Sequence, residues 1–181
     1  MLIILILILV ILICWFVFSY NGLVAKKQRV KEASSDILVQ LKRRFDLIPN
    51  LVETVKGYTK HEAETLEKIT EMRSKINDSK NIIETDKINK EISKDIKNFL
   101  VSVEAYPELK ANENFLQLQQ ELADTENKIQ ASRRFYNNIV KEYNIAIHSI
   151  PTNLVASLLK YTEEPLLDIS EEEKESIQVR F

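Results

Sequence analysis

Two glycines and four prolines in 181 residues are too few for a fold of strands and tight turns. That scarcity points to an all-α chain before any periodicity is counted. A single cysteine, Cys14, excludes a disulfide or a cysteine-based metal site within one chain and leaves the redox compartment open. The two histidines, His61 and His148, lie far apart. His61-Glu62 begins like the zincin helix H-E-x-x-H, but Thr65 stands where the second ligand is needed, so the pair reads as exposed helix. No phosphate loop, dinucleotide fingerprint or nucleophile elbow occurs. Carboxylates are numerous, yet they are strung along helical stretches with no polar loop to gather an acid/base pair. The expectation is a protein that is not an enzyme, with no cofactor, no metal and no small-molecule substrate. A net charge of −2 and a pI near 5.8 likewise give no bulk attraction for nucleic acid.

What the chain does have is one long apolar run. Leu2–Phe18 carries no charge and extends to Ala25 at the cost of only Ser19, Tyr20, Asn21 and Gly22. About 20 such residues at ~1.5 Å each span the hydrocarbon core of a bilayer. Trp15, Phe16, Phe18 and Tyr20 gather at one end, as an interfacial belt does. A cleaved signal peptide is the competing reading. It wants a basic n-region and a small-x-small cleavage site, which this run lacks, and Ile13 before Cys14 is too bulky for a lipoprotein signal. Lys26, Lys27, Arg29 and Lys31 follow the run, so the positive-inside rule puts the N-terminus outside and the rest in the cytoplasm of a single-pass cell-membrane protein. The same cluster suits anionic headgroups, or is simply a solvated helix face.

Beyond the run, apolar residues recur at threes and fours. Val30, Ala33, Ile37, Leu38, Leu41, Phe45 and Ile48 outline a first helix that is able to continue the anchor as one rod. The stretch Gln40–Val52, QLKRRFDLIPNLV, reads as a hinge. There one helix ends near Phe45, Asp46 caps the next, and Pro49 falls in its first turn. Leu51, Val55, Leu66, Ile69 and Ile76 then mark a second helix, with Gly57 inside it for close packing or a bend. Ile88, Ile92, Ile96, Phe99 and Val103 mark a third, stopped by Tyr106-Pro107. The fourth has the cleanest pattern: Phe115, Leu118, Leu122, Thr125, Ile129, Ser132, Tyr136, Ile139, Tyr143 and Ala146 form a heptad seam. Faint echoes (RRF at 43–45 and 133–135, YN at 20, 136 and 143) are too short to be a repeat.

YNGLV, QLKRRFDLIPNLVETVKGYTKHE, ANENFLQLQQELADTENKI and RRFYNNIVKEYNIAI, in that order between Tyr20 and Leu159, resemble the LemA family. The resemblance implies one N-terminal anchor, an antiparallel helical bundle and no assigned enzymatic activity, with links to membrane shaping and to membrane proteases. Similar proteins often carry a Trp beside the position of Ser34; here the run is Ala33-Ser34-Ser35-Asp36.

The expected architecture is therefore all-α: a transmembrane anchor over 1–22 and a long antiparallel four-helix bundle over 23–150. A short membrane-proximal helix over 151–161 and an acidic, flexible tail over 162–181 complete it. The expected partners are the lipid bilayer and either a membrane protein or a second copy of the chain. The expected function is a non-catalytic structural or adaptor protein, with an accessory subunit of a membrane enzyme such as a protease as the alternative. Arg43, Arg44, Arg133 and Arg134 are candidate partner or headgroup contacts. Their other reading is arginine stems covering the core while paired with bundle carboxylates. Leu154, Leu158 and Leu159, sharing a side with Val155, are candidate lipid contacts, or a cap on the base of the core.

Overall fold

α1 runs from Leu2 to Val55, straight through Pro49. The structure, a computed structural model, describes residues 1–58, 63–77 and 81–168. The unbroken α1 corrects the hinge expected at Gln40–Val52. Pro49 removes the bond its N–H would give to the Phe45 carbonyl and crowds that oxygen, which costs about 3 kcal/mol. Against this stands a row of side chains, Leu41, Phe45, Ile48, Leu51 and Val55, none more than 6% exposed. Each contributes about 1.5–3 kcal/mol on burial, so packing outweighs the proline. The turn comes instead at Lys56-Gly57-Tyr58, where the Tyr58 N–H donates to Val55 O at 2.9 Å. Gly57 thus lies in that turn and not inside a second helix, and a Cβ there would meet nothing within 4 Å.

Two outcomes follow for variants in α1. Pro49→Ala restores a backbone bond and is expected to stabilise the protein by about 1–3 kcal/mol. Asp46→Ala, at an exposed position inside the helix, is expected to stay within about ±0.5 kcal/mol. Denaturant midpoints in detergent measure both; a loss above about 1 kcal/mol for Asp46→Ala would reinstate the cap.

The remaining helices are α2 (Ala63–Asn77), α3 (Ile82–Ser102), the four-residue α4 (Pro107–Lys110), α5 (Glu113–His148) and α6 (Thr152–Leu158). A 3-10 turn, Val103–Ala105, precedes α4, and no strand occurs among the described residues. His61-Glu62 lies outside them. Two compact units share these elements: Glu32–Phe135, and Met1–Lys31 together with Tyr136–Phe181.

In the unit Glu32–Phe135 the core is built from one stripe per helix. Leu66, Ile69 and Met72 supply it from α2, Ile92, Ile96 and Phe99 from α3, and Phe115, Leu122, Thr125 and Ile129 from α5. The α3 start is fixed by Asn81, whose side chain accepts the Glu84 N–H at 2.9 Å, and the α5 start by Asn112, which accepts from Phe115 N–H at 3.1 Å. Contacts along α1 and the turn after it step in the opposite direction to α5 and the residue before it: Tyr58 meets Asn112, Arg43 meets Glu121 and Asp124, and Arg44 meets Glu126. α3 also opposes α5, with Ser93 beside Glu126 and Asp86 beside Arg133. α2 is tied to α3 through Lys68 and Asp95, 2.8 Å apart.

In the second unit the apolar run of α1 stays uncovered, with Leu2–Ile13 each more than 50% exposed, while Leu23 and Val30 are buried. Tyr136, Ile139, Val140, Tyr143 and Ile147 form the buried side of α5. α6 ends in a Schellman cap: Lys160 takes the left-handed conformation (φ 56°), its N–H bonds Ser157 O, and the Tyr161 N–H reaches back to Ala156 O at 2.9 Å. This cap releases Tyr161–Asp168 as a segment without regular structure.

Candidate partner and lipid contact sites

The two arginines of each pair part company because neighbours on a helix point about 100° apart. Arg43 stays half exposed and meets Glu121 at 2.8 Å and Asp124 at 3.5 Å. Arg44 turns inward and is 3% exposed. Its Nη1 donates to Ser93 Oγ at 2.7 Å and to the Glu126 carboxylate, with Asn89 Oδ1 at 3.4 Å. Burial lowers the Arg44 pKa and Glu126 works against that, leaving a guanidinium that is still charged at neutral pH. Arg133 is 5% exposed and its Nε donates to Asp86, which also meets Lys90 at 3.3 Å. Arg134 is exposed. Arg44 and Arg133 therefore sit among carboxylates inside the protein, and the surface available to a partner or a headgroup is reduced to Arg43 and Arg134.

This interior layer is costly. Besides the ion pairs it holds Asn89, fully buried, and three donor atoms with no partner among the described residues: Arg44 Nε, Arg133 Nη2 and Asn89 Nδ2. A buried ion pair often breaks even against an apolar replacement, and its defensible use is to fix register. Here Arg44 of α1 reaches both Ser93 of α3 and Glu126 of α5, so the three helices meet at one level.

The leucines after α5 divide in the same way. Val155 and Ala156 are buried, at 1% and 2%, and close the core at that end. Leu154 and Leu158, one helical turn apart, point outward at 63% and 70% exposure, and Leu159 is 41% exposed. Val155 is thus buried where the three candidate lipid contacts stay exposed. Lys27 joins this end to the foot of α1: its Nζ lies 5.7 Å from the Tyr161 ring centre, 5.9 Å from that of Tyr143, and 3.3 Å from a Glu164 carboxylate oxygen.

Sequence reasoning missed what holds Tyr161–Asp168. The segment lies along α5, with Leu167 buried and bonds to Tyr136, Asn137, Tyr143 and Asn144. Burial raises the pKa of both hydroxyls, with Glu164 adding to the shift, so each tyrosine remains a protonated donor at neutral pH. The signal was present in the YN echo seven residues apart, which repeats every two helical turns and so marks one face. The expected tail from 162 is therefore held at least as far as Asp168, and residues 169–181 lie outside the described part.

The LemA family model matches residues 33–181 of this chain. Among curated proteins, Protein LemA of Metamycoplasma hominis is 33% identical over 168 residues, covering 88% of this chain and 75% of that protein. With the family model over most of its length and a relative of that extent, the chain belongs to the LemA family.

Proposed function

We propose that this protein is a non-catalytic, membrane-anchored structural or adaptor protein that holds an antiparallel four-helix bundle at the cytoplasmic face of the bilayer. The observation that carries this reading is the uncovered start of α1. Its apolar window has a mean hydropathy of 3.4, and none of it is buried among the described residues. A core helix buries such a face, so water is a poor solvent for it and a bilayer a good one. The opposed stepping of α5 against α1 and α3, and the pairing of α2 with α3, support the bundle.

The exposed leucines of α6 extend the proposal to a second lipid contact. Lys27 lies five residues beyond Gly22, about 8 Å along the helix, and it touches Tyr161 at the end of α6. This contact supports a position for Leu154 and Leu158 near the membrane end of their unit, where their outward side chains can enter the headgroup boundary. A depth probe tests this in the full chain. Trp15, the sole tryptophan, is replaced by Phe, Leu158→Trp is introduced, and the protein is reconstituted in anionic nanodiscs with brominated acyl chains. Strong quenching is expected; emission as in unbrominated discs would mean that α6 does not touch lipid.

A further inference from the structure

Tyr136-Asn137 and Tyr143-Asn144 repeat one arrangement. Each tyrosine hydroxyl donates to a carbonyl of the tail: Tyr143 to Thr162 O at 2.9 Å, Tyr136 to Pro165 O at 3.1 Å. Each asparagine uses both ends of its amide on a single residue. Asn144 Nδ2 donates to Glu164 O at 2.8 Å while its Oδ1 accepts the Glu164 N–H at 3.0 Å. Asn137 does the same to Leu167, both bonds at 2.8 Å. The spacing explains why the arrangement can repeat. Seven helical residues rise about 10.5 Å, and three extended residues cover about 10 Å. The segment runs opposite to α5 and stays in step with it.

All six of these bonds end on main-chain atoms of the segment. Any extended peptide carries the same atoms, provided residues other than proline stand at the two positions whose N–H is used. Pro165 occupies a position whose N–H is not used. Side chains add limited selection: Leu167 is 3% exposed, and Glu164 meets Lys27.

We propose that the two Tyr-Asn pairs form a clamp for extended peptides. Tyr161–Asp168 is its resident ligand, and an extended acidic segment of another protein, with a carboxylate and a leucine three residues apart, takes its place. Recognition through the main chain with one side-chain pocket is a known mode of peptide capture. The resident segment is tethered at an effective concentration of about millimolar, so it shields the clamp from weak ligands at rest. The inference is independent of the membrane proposal, because none of its contacts involves the apolar run.

The test uses the full chain in detergent micelles and a fluorescent octapeptide, YTEEPLLD, as the probe. Leu167→Glu loosens the resident segment without touching the clamp. It is expected to bind the probe at least ~10-fold more tightly than the wild type does, since the tethered competitor is weakened. The same peptide with proline at the positions of Glu164 and Leu167 is expected not to bind, and adding Asn137→Leu and Asn144→Leu is expected to remove binding of the original probe. No gain in binding by Leu167→Glu, or equal binding of the proline peptide, overturns the clamp. Should Leu167→Glu lose its helical circular dichroism, hydrogen exchange in the wild type decides. Excess unlabelled peptide must then speed exchange at the Glu164 and Leu167 amides, and unchanged exchange overturns the proposal.

Discussion

Arg133→Met is expected to destabilise the protein by about 3–5 kcal/mol, the usual loss when one half of a buried ion pair is removed. The Asp86 side chain is 4% exposed and would keep Lys90, 3.3 Å away, as its ion-pair partner among the described residues. Adding Asp86→Leu should recover most of the loss, because the stranded carboxylate is what makes the single change expensive. Arg44→Met is expected to cost less, about 1–3 kcal/mol, since the Glu126 side chain is 25% exposed and can turn to water. Denaturant unfolding of the four chains in detergent gives these differences. A single Arg133→Met loss below about 1 kcal/mol would mean that the pair is solvated.

The second large effect belongs to the apolar run. Its Leu, Ile, Val and Phe residues from Leu2 to Phe18 favour insertion by about 0.3–0.6 kcal/mol each, a total of roughly 5–9 kcal/mol. A charged residue at the centre costs about 2.5–3.5 kcal/mol. One substitution, Ile8→Asp, should therefore leave the chain in the membrane. Ile8→Asp with Leu12→Asp removes nearly the whole margin and is expected to move most of the protein into the alkaline-extractable fraction. Full membrane retention of the double variant would mean that something other than this run holds the protein.

Much of the helical framework was legible because period alone reveals it. The α5 seam from Phe115 to Ala146 is buried or half-buried at every position named from sequence. Leu38 belongs to the apolar spacing of α1 yet is 44% exposed, one 100° step round from the buried Ile37. Pro49 misled for a stronger reason. Its local penalty is visible in sequence, whereas the burial that offsets it depends on helices far along the chain. The same holds for the arginines. Arg133 finds Asp86 47 residues away and Arg44 finds Glu126 82 residues away, and no local pattern announces such partners. The Tyr-Asn pairs were visible as an echo, but their partner is the main chain of a segment whose composition gave no sign of being held.

Labelling of single cysteines tests most directly the proposed topology, a chain that crosses the membrane once with its helical domain in the cytoplasm. In a Cys14→Ala background, Ser74→Cys in α2 and Glu113→Cys at the start of α5 are both exposed positions. A membrane-impermeant maleimide is expected to modify neither in intact cells and both after lysis. Modification of both in intact cells would contradict the orientation, and recovery of the labelled protein in the soluble fraction would contradict the anchor itself.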